Sequence, residues 1–368
     1  MPPNPSRTAR HALGASIITL SLLVIDATTL RAQTAPSGMT KVGEGVYVIV
    51  HRDATEEWPQ GNTTVVVGDS AVLVVDAAYL PSAARADIAL IRSVTTKPVR
   101  FLVNTHWHYD HNNGNAEYVK AFPGIQIVAH AETRRIMDVN GPGYFAAVVD
   151  SGSAWNRTLR ELKARLAAGK AESGAALTEA ERRALTENIA AREVEQRELR
   201  TATYSGPTLT FDRTVVFDLG GRDVQVMNFG RGNTPGDAVV HLPAERIVVA
   251  GDLVVAPVPF AFNSYPAQWI VALRSLAGLD GRIIVPGHGP VMRDDAYVRE
   301  LIALLESAVS QARVLARRRV PLEQAVKQIE LEPFRARFAR GDRVMNTWFD
   351  ELVGALPERA YREARGVY

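Results

Sequence analysis

From Val46 onward the chain alternates short apolar runs with polar punctuation. VYVIV (46–50), TTVVVG (63–68) and AVLVVDA (71–77) are rich in Val and separated by Gly, Asp and Asn. Short β-branched runs bounded by turn residues predict strands, here three in succession. Pro81 then opens a stretch to Val94 that predicts a helix, with proline at its favoured first position. The strand VRFLVNT, a helix from about Asn113 and the strand IQIVAH follow.

The pattern changes over residues 150–202. Trp155, Leu159, Leu162 and Leu166 recur at helical spacing, and Thr178 with Glu181 forms a capping box that opens a second, strongly charged helix. An inserted helical hairpin is expected there, a solvated lid or arm without chemistry of its own. Period-2 runs then resume with TLTF, TVVFDL, DVQVMNF, DAVVHL, RIVVAGD and RIIVPG, the last ending just before His288. A helical tail is expected from about Asp294, with LIALLESAVSQARVLARRR as its main helix. Strands dominate each half and helices follow them, which predicts an α+β fold of two sheets packed face to face with helices outside.

The amino-terminal segment stands apart. Arg7 and Arg10 precede the apolar run ALGASIITLSLLVI, and small Ala32 closes it, the order of a secretory signal peptide. The run covers residues 12–25, short of the roughly 20 residues a spanning helix needs. Cleavage near Ala32, export to the periplasm or medium, and no stable membrane span after signal removal are therefore expected. Arg7, Arg10 and Arg31 against Asp26 account for the whole chain's net charge of +2, so the remainder is close to neutral and lacks a basic footprint for nucleic acid. With 46% hydrophobic and 22% charged residues the 368-residue chain is globular in composition, and it contains no cysteine. Disulfides and thiolate ligands are thereby excluded, leaving His, Asp, Glu and Asn for any metal.

One stretch concentrates such groups. NTHWHYDHNNGN, residues 104–115, places His106, His108, Asp110 and His111 within six positions directly after an apolar strand. Burying three imidazoles and a carboxylate together is costly unless a cation organises them. Zinc favours this mixture of nitrogen and oxygen donors, although other divalent metals share it.

THWHYDH resembles the H-x-H-x-D-H signature of the metallo-β-lactamase superfamily, and GRGNTPGD (230–237), AGDL (250–253) and VPGHG (285–289) follow in that family's order. The resemblance spans about residues 41–290 and implies the four-layer αβ/βα sandwich. The helical insertion (about 150–202) and a C-terminal helical extension (291–368) lie beyond what it explains. It implies a first metal site of His106 and His108, a second of Asp110, His111 and His288, and Asp252 bridging the two. Asn233 stands where these hydrolases usually carry the histidine that completes the first site. A neutral amide oxygen is a weaker donor than imidazole for a borderline metal, so the second of the one or two zinc ions is expected to bind more tightly.

The implied activity is hydrolysis of a small-molecule substrate by a metal-bound hydroxide, with Asp110 orienting the nucleophile. Dedicated β-lactamases of the family usually lack a bridging aspartate, and GDLVV offers no Lys or Arg to grip a lactam carboxylate. An ester, lactone, thioester or related bond is thus favoured over a β-lactam, with a non-catalytic metal-binding protein as the other alternative. His51, His130 and His241 read as structural histidines. Phe260, Phe262, Tyr265 and Trp269 either line an apolar pocket or pack their own loop, and Trp58 either packs its loop, the reading slightly favoured, or forms another pocket wall.

Overall fold

The computed structural model describes residues 38–51 and 60–367. The amino-terminal apolar segment and Trp58 lie outside the described residues. The first sheet takes its strands in sequence order: β1 (Met39–Gly43), β2 (Val46–Ile49), β3 (Thr63–Val67), β4 (Val72–Val75), β5 (Val99–Val103), β6 (Gln126–His130) and β7 (Leu209–Phe211). β1 to β4 pair antiparallel, whereas β4 to β7 pair parallel. Parallel neighbours need crossovers. These are supplied by α1 (Pro81–Val94), by α2 (Asn115–Ala121), and by an excursion through α3 (Ala131–Val149), α4 (Ala154–Ala168) and α5 (Glu179–Leu199).

The second sheet holds β8 (Thr214–Asp218), β9 (Asp223–Met227), β10 (Val239–Leu242), β11 (Ile247–Val255) and β12 (Ile283–His288), in the order β12-β11-β10-β9-β8. Only β11 and β12 run parallel in it, linked through α6 (Pro266–Ala277). The chain finishes with α7 (Ala296–Arg317), α8 (Leu322–Gln328), α9 (Glu332–Ala339), α10 (Arg343–Trp348), a π-helical turn over Phe349–Val353, and α11 (Leu356–Ala364).

Three apolar clusters define four layers. Within β4, Leu73 and Val75 enter the core between the sheets, while Val72 and Val74 pack under α1 against Ile88 and Ile91. A period of two thus buries both faces of one strand, which is why it reads as a continuous apolar run. On the far side, Trp269 and Leu273 of α6 and Leu301, Leu304, Leu305 and Ala308 of α7 cover β11 through Val248, Ala250 and Val254. Among the described residues no helix is long and apolar enough to cross a membrane.

The hairpin expected from the leucine spacing is present as α4 and α5, where Leu159 packs with Leu185 and Ile189, and Thr178 and Glu181 form the capping box. Helix begins earlier than the pattern suggested, at Ala131. The helix continues through Pro142, and Met137 and Val148 become buried along it. Edge strand β1 was also not anticipated, because its MTKVG sequence exposes Thr40 and Lys41.

Candidate metal centre

The candidate ligands converge from the ends of strands in both sheets. β5 stops at Val103, and the loop after it carries His106 and His108 before a single 3-10 turn, Tyr109–His111, presents Asp110 and His111. The loop is fixed from within. Asn104 and Asn115 exchange amide hydrogen bonds of 3.0 and 2.8 Å, and the Asn112 amide donates to the His108 carbonyl at 2.6 Å. Asp252 lies within β11 and His288 at the end of neighbouring β12. Gly287 is needed where these strands meet, since a Cβ there would fall 2.0 Å from Asp252 Oδ1.

Two donor sets result. His106 Nε2 and His108 Nδ1 lie 2.8 Å apart, and they stand 3.5 and 4.0 Å from Asp252 Oδ2. In the other set, His111 Nε2 and His288 Nε2 are 3.1 Å apart. Asp110 Oδ2 is 3.4 Å from the former and 3.0 Å from the latter, and Asp252 Oδ1 is 3.2 and 3.4 Å from them. Bonds of about 2.0–2.2 Å in a tetrahedron place donors about 3.3–3.6 Å apart, so the second set lies close to the spacing zinc needs and the first is less regular. Asp252 offers one oxygen to each. His106, His111, Asp252 and His288 are buried, while the Asp110 side chain keeps 15% exposure.

Asn233 is fully buried beside this cluster's supporting loop. Its Nδ2 donates to the Phe260 carbonyl at 2.5 Å, and its Oδ1 has no hydrogen-bond partner among the described residues. A buried amide oxygen without a partner is costly, and Asp252 Oδ1 is in the same condition. Asp252 Oδ1, together with the donor spacings, fits residues arranged for a cation.

The electrostatics agree. Burial, reinforced by the neighbouring His111, holds His106 well below the usual histidine range, so it presents a free lone pair. His111 and His288 are also disfavoured as cations by burial, but the Asp110 and Asp252 carboxylates override this and raise both. Burial opposes ionisation of Asp110 and Asp252 too, yet the surrounding imidazoles drive both below the ordinary carboxylate range. Two ionised carboxylates thus face the ring nitrogens, a field that favours positive charge between them.

Several supporting residues had not been singled out in the sequence. Asp76, at positive φ just after β4, accepts hydrogen bonds of 2.8 Å from Thr105 N, Thr105 Oγ1 and the His111 Nδ1 side. It thereby leaves His111 Nε2 free to face the site, the usual duty of a carboxylate behind a ligating imidazole. The signal was an acid closing the buried strand AVLVVDA. Asn62 holds the His288 loop through 2.9 Å bonds to the Pro286 and Gly289 carbonyls and from its own N–H to Gly287 O at 2.7 Å.

Of the other histidines, His51 forms a buried pair with Asp87 at 2.9 Å, His130 caps α3, and His241 contacts Gln225 at 3.3 Å, all structural roles. The aromatic run divides. Trp269 is fully buried and donates to the Leu253 carbonyl at 3.1 Å, so it packs. Phe260 meets His108 edge-on at 5.4 Å and contacts Phe262 at 4.9 Å, placing both beside the first donor set. Trp107 flanks His108 as well, at 4.4 Å.

The family model described as the metallo-beta-lactamase superfamily matches residues 57–288, more than half of the chain, and the chain belongs to that superfamily. Among curated proteins, the linear primary-alkylsulfatase of Pseudomonas sp. (strain ATCC 19151) is 24% identical over 246 residues, covering 65% of this chain. The chain spans 43% of the length of that relative. Among solved structures, the metallo-beta-lactamase from Pontibacter korlensis aligns with a TM-score of 0.52 at 18% identity, covering 73% of this chain and 99% of that one. The metallo-beta-lactamase FIM-1 from Pseudomonas aeruginosa, in its mono-zinc form, aligns with the same TM-score of 0.52 at 18% identity over 74% of this chain and 96% of its own. Likeness at this identity is a likeness of fold.

Proposed function

We propose that this chain is an exported metal-dependent hydrolase that cleaves an ester, lactone, thioester or related bond in a small molecule with an apolar portion. The observation that carries the reading is the pair of donor sets sharing Asp252, one oxygen to each. His106, His108, Asp252 and the amide oxygen of Asn233 would hold one divalent ion, and Asp110, His111, His288 and Asp252 a second, zinc being favoured by these donors. Such ions lower the pKa of water from 15.7 to roughly 7 and polarise the group under attack. Export rests on the segment from Arg7 to Ala32.

The protein's own groups supply the rest. Ionised Asp110 is an acceptor only, and it is the second set's most open member, so it orients an attacking water by accepting a hydrogen bond from it. Phe260, Phe262 and Trp107 form an apolar wall beside His108 that takes the substrate's hydrocarbon part and limits competing water. The alkylsulfatase relative adds a primary alkyl sulfate to the bonds worth testing.

The test is a panel of a nitrophenyl ester, a lactone, a thioester, a primary alkyl sulfate and a β-lactam, run on zinc-loaded wild type, on His108→Ala and on Asp110→Ala. Turnover that falls by orders of magnitude in both variants and on chelation is expected. Full turnover by metal-free protein refutes the reading, and zinc binding without turnover on any member would make the chain a non-catalytic metal-binding protein.

A further inference from the structure

The segment after β11 does more than line the site. Asn263 Nδ2 lies 3.1 Å from His108 Nε2, so the carboxamide faces the ring with its nitrogen nearest. The other ring nitrogen, Nδ1, faces His106 Nε2 and the bridging Asp252. An imidazole that ligates through Nδ1 must leave that lone pair bare, so its proton resides on Nε2 and points at Asn263. An N–H requires an acceptor. The two orientations of a carboxamide have the same shape, and the tautomer of His108 selects the one with oxygen, not nitrogen, toward the ring.

Asn263 is itself held from two sides. Toward the second sheet, Tyr265 N donates to the Gly232 carbonyl at 2.8 Å and Asn233 grips Phe260 O. From the carboxyl-terminal helices, Arg359 of α11 donates from Nε to Ser264 O at 2.7 Å and from Nη2 to Asn263 O at 3.4 Å. Glu363 accepts from Ala267 N at 2.6 Å and from the Gln268 amide at 3.0 Å, tying the start of α6 to the same helix. Ala261 N also donates to Leu352 O at 3.1 Å.

We propose that Asn263 is a positioning residue that accepts the Nε2–H of His108 and fixes its metal-binding tautomer, and that Arg359 of the terminal helix holds Asn263 in place. The carboxyl-terminal extension is then part of the first site's support. The inference rests on His108 being a ligand, as proposed above.

The experiment is zinc titration against a chromophoric chelator for wild type, Asn263→Leu, Asn263→Asp, Arg359→Met and His108→Ala. Asn263→Leu should weaken the first site by about 10–100-fold, the usual effect of losing a group behind a ligand, and leave the second unchanged. Aspartate also accepts, so Asn263→Asp should match wild type or bind more tightly. Arg359→Met should weaken the first site only, and by less than Asn263→Leu. Long-range proton–nitrogen spectra of zinc-loaded wild type should show His108 protonated at Nε2.

Unchanged affinity in Asn263→Leu overturns the proposal, as does an equal loss in Asn263→Asp. Loss at both sites in Arg359→Met would overturn the role given to the terminal helix. If Asn263→Leu does not fold, absence of the Nε2 proton in wild type is decisive against the idea. His108→Ala separates the two levels: tight first-site binding without that imidazole defeats the ligand assignment, whereas loss there with retention in Asn263→Leu defeats only the role of Asn263.

Discussion

Replacing Gly61 by Ala adds one methyl group at the point where the 60–62 segment passes His111. That methyl would sit 2.5 Å from Cε1, 2.6 Å from Nδ1 and 2.9 Å from Nε2 of the ring. Comfortable carbon contacts begin at about 3.5 Å, so ring or backbone must retreat by about 1 Å. Neither side yields easily. Gly61 O accepts from His51 at 2.6 Å, and Asn62 is bonded to the loop of His288. His111 is tied to Asp76 at 2.8 Å, and its carbonyl accepts from Ala77 N at 2.9 Å. A retreat of that size breaks donor spacings of 3.0–3.4 Å. Overpacking should lower stability by about 1–3 kcal/mol. Zinc affinity at the second site should fall at least about tenfold, and turnover about 100-fold, the typical effect of a 1 Å misplacement. Gly143→Ala is the control, since its methyl meets no described atom within 4 Å. Zinc titration, thermal unfolding and initial rates would be measured on both. Wild-type affinity and rate in Gly61→Ala would refute the claim that His111 is held to sub-ångström tolerance.

Asp76→Ala removes the acceptor behind His111, and zinc titration should show a loss of about 10–100-fold at the second site with the first little changed; equal losses at both would argue for a general structural role. Asp87→Asn leaves buried His51 without its counter-charge, and near neutral pH or below, denaturant unfolding should register about 3–5 kcal/mol of lost stability. Although burial opposes it, Asp87 raises the His51 pKa above its ordinary 6.5, so the pair's contribution is fully present below 6.5 and disappears as pH rises through the folded value. The gap between wild type and Asp87→Asn should therefore shrink toward alkaline pH, and a constant gap would contradict the ion pair.

Motifs local in sequence were legible. His106, His108, Asp110 and His111 share one loop, and the capping box of Thr178 and Glu181 involves residues three apart. Short continuous apolar strands such as β4 announced themselves because both faces are buried. What escaped notice depends on contacts between distant positions. Asn263 meets His108 across 155 residues, and Arg359 reaches Asn263 across 96, so neither pairing leaves a local pattern. Helix α3 escaped because glycine and proline are weak helix formers, and its packing through Met137 and Val148 overrides that preference.

The most direct test of the shared-aspartate metal centre is a stoichiometric zinc titration of metal-free wild type beside Asn233→His. Two ions per chain are expected, the tighter at Asp110, His111, His288 and Asp252, the looser at the proposed site of His106, His108, Asp252 and Asn233. Asn233→His should tighten the looser step alone, and each 1.4 kcal/mol gained would appear as about tenfold in affinity. Uptake that stops short of two ions, or two equally tight ions that Asn233→His leaves unchanged, would contradict the account.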